Sequence, residues 1–179
     1  MIGAQHGYVL VRDWLGNPPA PRDRNADLAE LARRYLAGHG PASDRDLAKW
    51  AGLPLRDARR GLAGIAAELR TRTDGLAELT ASLSAGPGAL PGPKLLGAYD
   101  PVLLGWESRD EIVGPHRQIV TANGLFRPFA LVAGRAAGIW SWTDGAVALD
   151  QFGELTDGTS AALASEARDV GRFLSAEGA

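Results

Sequence analysis

Residues 40–72, GPASDRDLAKWAGLPLRDARRGLAGIAAELRTR, constrain the fold more than any other stretch. Ser43 is a good N-cap, and Asp46 three positions on completes a capping-box pattern for a helix. Leu47, Trp50 and Ala51 supply its inward side. Gly52 provides the turn, and Pro54 sits where a first-turn proline is tolerated. A second helix places Leu55, Ala58, Leu62, Ile65 and Leu69 at spacings of three and four, with Arg56, Arg59, Arg60 and Ala63 opposite. Residues 70–80 hold Asp74-Gly75 between two β-like runs, and Asp-Gly favours a tight two-residue hairpin turn. Helix, turn, helix and ribbon in that order predict a winged helix-turn-helix.

The flanking sequence sets this unit in a larger frame. Residues 7–15, GYVLVRDWL, read as a short strand without a local partner. Residues 16–26 are Pro- and Asn-rich and read as a linker. Asp27 and Glu30 fit a capping box opening a helix on which Leu28, Leu31, Ala32, Tyr35 and Leu36 share a face. Residues 81–93 form a second Pro/Gly/Ser linker and the clearest internal boundary. Beyond it, Leu95–Trp106 and Phe126–Trp142 are apolar runs with strand-like punctuation. Gly134 and Asp144-Gly145 suit hairpin turns, so a three-stranded antiparallel meander is expected over 125–152, as a small barrel. Pro115 breaks any long helix within 107–122, leaving a helix-and-loop excursion. Residues 159–175 are amphipathic, with Leu163, Ala167, Val170 and Leu174 inward. The expected fold is α+β. Residues 1–26 are strand and linker, 27–80 the winged helix, and 81–93 the linker. Residues 94–179 are a mostly antiparallel β domain, barrel-like, closed by a C-terminal helix.

Charge and composition exclude several functions. The net charge is −2, so the chain is not globally basic, but the charge is unevenly placed. Residues 40–72 carry Arg45, Lys49, Arg56, Arg59, Arg60, Arg70 and Arg72 against Asp44, Asp46, Asp57 and Glu68. Residues 143–179 carry two arginines, Arg168 and Arg172, against seven carboxylates. Phosphate contacts need local positive charge, which favours the first segment as a DNA face. There are no cysteines, and His6, His39 and His116 lack the spacing of a zinc site. No cofactor or metal is expected. No apolar run has the length of a membrane span, and the start lacks a signal-peptide pattern, so a cytoplasmic protein is expected.

Four stretches together resemble one family: LARRYLAGHGPAS, RDLAKWAGLPL, LLGAYDPVLLGWESRDEIV and NGLFRPFALVAGRAAGIW. They look like the bacterial winged-helix DNA-binding family that includes DNA glycosylases acting on alkylated bases and interstrand crosslinks. The similarity runs over roughly residues 7–175. It rests on the aromatic-Asp pair Tyr99-Asp100, on Leu103-Leu104-Gly105 before Arg109, and on Asn123-Gly124 before Phe126-Arg127-Pro128. The resemblance also implies what is missing. Family members are about twice as long and begin with a further winged-helix region, to whose tail residues 7–15 correspond. Their catalytic Gln-aliphatic-Gln pair lies in that region, and Gln5, Gln118 and Gln151 do not reproduce it. After Trp140 the family is often strongly basic, whereas Ser141-Trp142-Thr143-Asp144 carries no cation.

The candidate DNA-contacting residues are therefore Arg56, Arg59 and Arg60 on the second helix, Arg70 and Arg72 on the ribbon, and Arg45 and Lys49 as phosphate contacts. The alternative for each is a solvated surface. Asp100, Arg109, Asn123 and Arg127 fall on the resembling motifs as a possible cleft, where an Asp could polarise water and Asn and Arg could read a flipped base. A structural reading competes: Asn123-Gly124 suits a turn, and Arg127 could pair with Asp100 or Glu111. His116 reads as a loop residue. Trp106, Trp140 and Trp142 read as core or interface rather than base-stacking groups. No catalytic residue is assigned. Three functions remain open: DNA binding through a winged helix in a repair-glycosylase-like protein without its catalytic segment, the C-terminal part of an active glycosylase completed from upstream, and a non-DNA-binding assembly partner. Double-stranded DNA is the expected partner. Residues 7–15 could pair with an upstream domain or a second copy in a homodimer.

Overall fold

The computed structural model describes residues 7–16, 23–81 and 90–177. Most of both proposed linkers, with Gln5 and His6, lies outside the described residues. The chain is a mixed α+β protein with two antiparallel sheets and a long C-terminal helix. Among the described residues no helix is long and apolar enough to cross a membrane.

The first unit is built on three helices. Helix α2 (Arg24–His39) starts where the Asp23 side chain accepts the Asn25 amide at 3.2 Å, four residues before the expected Asp27 cap. It buries Leu28, Ala32, Tyr35 and Leu36, a single helical stripe. Helix α3 (Asp44–Ala51) carries the full capping box between Ser43 and Asp46, and ends at Gly52 in the left-handed conformation. Leu47 is buried as expected, but Trp50 is 40% exposed. Helix α4 (Leu55–Gly64) follows Pro54, which caps the helix from outside rather than opening its first turn. It lies against α2 because two glycines allow the approach. A Cβ on Gly61 would stand 2.5 Å from the Leu28 carbonyl oxygen, and one on Gly64 2.9 Å from the Ala29 methyl. Ala58 and Ile65 are fully buried in this contact, whereas Leu55, Leu62 and Leu69 are only half-buried.

After one 3-10 turn at Ala66–Glu68, β1 (Leu69–Thr71) pairs antiparallel with β2 (Ala77–Leu79). The turn between them is longer than two residues. Gly75 N–H donates to the Arg72 carbonyl and Arg72 N–H to the Leu76 carbonyl, with Gly75 at φ 85°. Glycine thus serves the left-handed bulge of a three-residue loop, not the centre of a two-residue one. Ala77 also exchanges two 2.9 Å backbone bonds with Ala42, which ties the hairpin to the α2–α3 connection.

The second unit is a four-stranded antiparallel sheet in the order β3 (Lys94–Leu96), β4 (Phe129–Val132), β5 (Arg135–Thr143), β6 (Ala146–Gln151). The expected meander is present with an additional edge strand, β3. The sheet is open: β3 and β6 do not pair, so the barrel expectation is corrected. Side-chain alternation explains the openness, because each face already has its own cover. On one face Leu95 and Ala130 pack with Leu163 of α6 (Asp157–Glu177). On the other, Phe129 packs with Leu103, Val113 and Ile119 from the excursion that carries α5 (Asp110–Val113). Both tight turns have consecutive positive φ values, 48° and 79° at Ala133-Gly134 and 52° and 75° at Asp144-Gly145. That is the geometry expected of two-residue hairpins.

Residues 7–15 are a correction. Val11–Leu15 form a short helix, α1, preceded by an extended Leu10, and every residue from Gly7 to Gly16 is exposed. A strand with no partner leaves its amides unpaired, whereas a helical turn satisfies them locally. Asp13 and Trp14 N–H both donate to the Leu10 carbonyl.

The two units meet at one joint. Tyr35 Oη donates to the Gly105 carbonyl at 2.7 Å, Trp106 Nε1 to the His39 carbonyl at 3.0 Å, and Glu107 N–H to Asp46 Oδ1 at 2.8 Å. His39 stacks on Tyr35 and meets Trp106 edge-on. Gly105 has no room for a side chain, since a Cβ would lie 2.6 Å from His39 Cδ2.

Candidate nucleic-acid interface

The basic residues of residues 40–72 divide into two groups once their partners are known. Arg59 Nε donates to Asp44 at 2.6 Å, linking α4 back to the start of α3. Arg70 Nε donates to Glu78 across the hairpin at 2.9 Å, and Arg72 pairs with Asp74 at 3.1 Å. These three arginines are already neutralised by neighbours. Arg45, Lys49 and Arg60 make no ion pair with any described residue. Arg56 lies 3.6 Å from Asp57, but its side chain is 84% exposed, and Asp57 is committed to Arg24 at 2.7 Å. Arg56 and Arg60 are one turn apart on α4, and Arg45 and Lys49 one turn apart on α3.

Three carboxylates of the same unit are held in ionised form. Arg24 keeps the buried Asp57 carboxyl below the usual carboxylate range, chiefly through its hydrogen bond. Arg33 grips Glu68 with two bonds, of 2.8 and 2.7 Å, and holds its pKa down, while Arg34 and then Arg33 do the same for Glu30. Burial, aided by the Asp46 charge, pushes the Tyr35 hydroxyl well above its ordinary value, so it remains a donor to Gly105.

No hydrogen bond or ion pair joins the four residues of the possible cleft to one another. Asp100 caps a short 3-10 turn, accepting the Val102 amide at 2.9 Å. Asn123 sits in an exposed turn closed by Gly124 N–H to the Thr121 carbonyl at 2.9 Å. Arg127 is exposed and pairs with neither Asp100 nor Glu111. Arg109 lines two clefts, although its Nε is held by the Leu103 carbonyl at 2.6 Å and its guanidinium lies over the Phe126 ring. One cleft, of about 450 Å³, runs between the β1–β2 hairpin and the excursion. It brings Arg72 and Arg109 together with Asp46, Asp74, Glu111 and Trp106. A second, of about 680 Å³, opens on the other side of Arg109 toward Arg117. Three carboxylates against two arginines make the first cleft a poor anion trap. His116 stacks on Phe152, and Trp140 donates to the Leu96 carbonyl at 2.8 Å, both bracing the sheet unit. Trp142 packs against Gly171 of α6.

Sequence reasoning separated Arg72 from Arg109 and missed the His39–Trp106 joint. The signal was a Gly-Trp pair ending an apolar run, which reads equally well as the end of a strand.

The fold is that of a mixed α+β protein with two antiparallel sheets and a long C-terminal helix. A family model described as DNA glycosylase AlkZ-like matches residues 2–173, and the chain belongs to that family. It is 28% identical over 172 residues to an interstrand DNA cross-link repair glycosylase of Streptomyces sahachiroi, covering 89% of this chain and 45% of that protein. The solved DNA glycosylase AlkZ of the same organism superposes with a TM-score of 0.74 at 23% identity, covering 86% of this chain and 44% of that one. The chain thus spans less than half the length of these relatives.

Proposed function

We propose that this chain docks on duplex DNA as part of a repair-glycosylase-like protein, through a winged helix made by α2, α3, α4 and the β1–β2 hairpin. The observation that carries the reading is the exposed set Arg45, Lys49, Arg56 and Arg60 on adjacent turns of α3 and α4, three of them without an internal ion pair. Family membership supports DNA as the partner. Arg59, Arg70 and Arg72 contribute less, because each must first leave a carboxylate. Contacts of this kind fix position on the backbone without reading sequence. The test is duplex binding over a salt series. Arg56→Ala with Arg60→Ala is expected to weaken binding and to flatten the log–log salt slope by about 1 for each phosphate no longer neutralised. No binding at low salt, or an unchanged slope, contradicts the reading.

A second reading is that the chain acts as one part of an active alkyl- or cross-link glycosylase, with base-excising groups contributed from outside it. The coverage of under half of the relatives' length favours this reading. Excision of alkylated bases on mixing this chain with a segment bearing the Gln-aliphatic-Gln pair supports it, and inactivity of the mixture counts against it.

A further inference from the structure

Three non-glycine residues among those described have left-handed backbone: Ala133, Asp144 and Tyr99. The first two close two-residue hairpins that demand it. Tyr99 closes none. It stands between β3 and the 3-10 turn at Pro101–Leu103 with φ 60°, a conformation in which a bulky aromatic is strained. The strain is held from both sides. Asp100 pins the following backbone by capping Val102, and the Tyr99 ring leans on Phe126 with centroids 5.0 Å apart. Phe126 is fixed in turn by its bridge to Val120, and the Arg109 guanidinium carbon lies 5.1 Å from its centroid.

Packing does not require this arrangement. The core below is closed by Leu103, Ile119 and Phe129, while Tyr99 remains 49% exposed and neighbouring Leu125 56% exposed. The fold therefore holds an aromatic ring at the surface, backed by a second ring and a fixed cation. Strain of this kind gathers at ligand-contacting positions.

We propose that Tyr99, backed by Phe126 and Arg109, is a stacking platform for an unpaired nucleobase. A base inside a duplex offers no free face, whereas an extrahelical or single-stranded base does, and aromatic stacking accepts any base. This inference rests on the DNA-docking reading and adds a strand-state preference to it.

The experiment compares a fully paired duplex with the same duplex carrying one unpaired 2-aminopurine nucleotide. Affinity and 2-aminopurine fluorescence are read for the full chain and for Tyr99→Phe and Tyr99→Gly. The wild type is expected to bind the bulged duplex about tenfold more tightly and to quench the probe. Tyr99→Phe should retain both effects. Tyr99→Gly should lose both, with paired-duplex affinity unchanged and the melting temperature not lowered, since glycine relieves the left-handed backbone. A merely structural tyrosine would instead lower the melting temperature and leave the preference intact. Equal binding of the two duplexes by the wild type, or a preference surviving in Tyr99→Gly, overturns the platform while leaving the docking reading standing. Binding to neither duplex overturns both.

Discussion

Asp57 sits 3% exposed on the inward side of α4, and its charge is offset chiefly by Arg24, which reaches it from α2. The partnership has a pH signature. A carboxyl whose folded pKa is depressed adds stability above its unfolded pKa, near 4, and loses that contribution as pH falls through the folded value. Glu30 and Glu68 shift in the same direction and act in the same window. Asp57→Asn is therefore expected to lower the denaturation midpoint at pH 7, with the gap to wild type narrowing as pH drops below about 4. Urea titrations at several pH values check this, and a gap independent of pH contradicts it. Tyr35 is the second residue of this kind. Tyr35→Phe removes the donor to the buried Gly105 carbonyl and should cost about 1–3 kcal/mol. Neither partnership was legible in the sequence, because 33 residues separate Asp57 from Arg24 and 70 separate Tyr35 from Gly105.

Elements were legible wherever a local rule acts without competition. Ser43, Asp46 and Gly52 bound α3 as their chemistry dictates, and the two hairpins at Gly134 and Gly145 turn as Gly-containing pairs should. The misreadings share one cause, a neighbour that local rules cannot see. Asp23 displaced Asp27 as the cap of α2, and residues 7–15 alternate too little to specify a strand when no strand among the described residues pairs with them. The barrel expectation failed because α6 and the excursion, distant in sequence, cover the two faces of the sheet. The α2–α4 contact yields a prediction at this scale. Gly61→Ala drives a methyl into the Leu28 backbone, which cannot step aside, so destabilisation of about 1–3 kcal/mol is expected by chemical denaturation. A neutral Gly61→Ala contradicts the close approach described for these helices.

Over the whole molecule, the helical unit with its one core and the sheet unit with a core on each face are joined through Tyr35, His39, Asp46 and the Gly105–Glu107 segment, and α1 contributes to none of these cores. Since residues 7–16 are all exposed, replacing Val11, Trp14 and Leu15 by serine should leave the melting temperature within about 2 °C of wild type. A larger fall would show that the segment packs on the rest of the molecule. The candidate site was legible as a region of positive charge but not as a working surface. Sequence could place seven cations, whereas pairing decides which of them are free, and pairing depends on Asp44 and Glu78 reaching across elements and on Asp74 meeting Arg72 within the hairpin loop. The central claim is that DNA meets the molecule on the exposed turns of α3 and α4. The most direct measurement is a residue-resolved map of backbone amide shifts as a short duplex is titrated into the isotope-labelled chain. Shifts concentrated at Arg45, Lys49, Arg56 and Arg60 and their neighbours, with the acidic α6 unmoved, are the predicted result. A map centred on α6 or the β5–β6 hairpin, with α3 and α4 silent, would contradict the account.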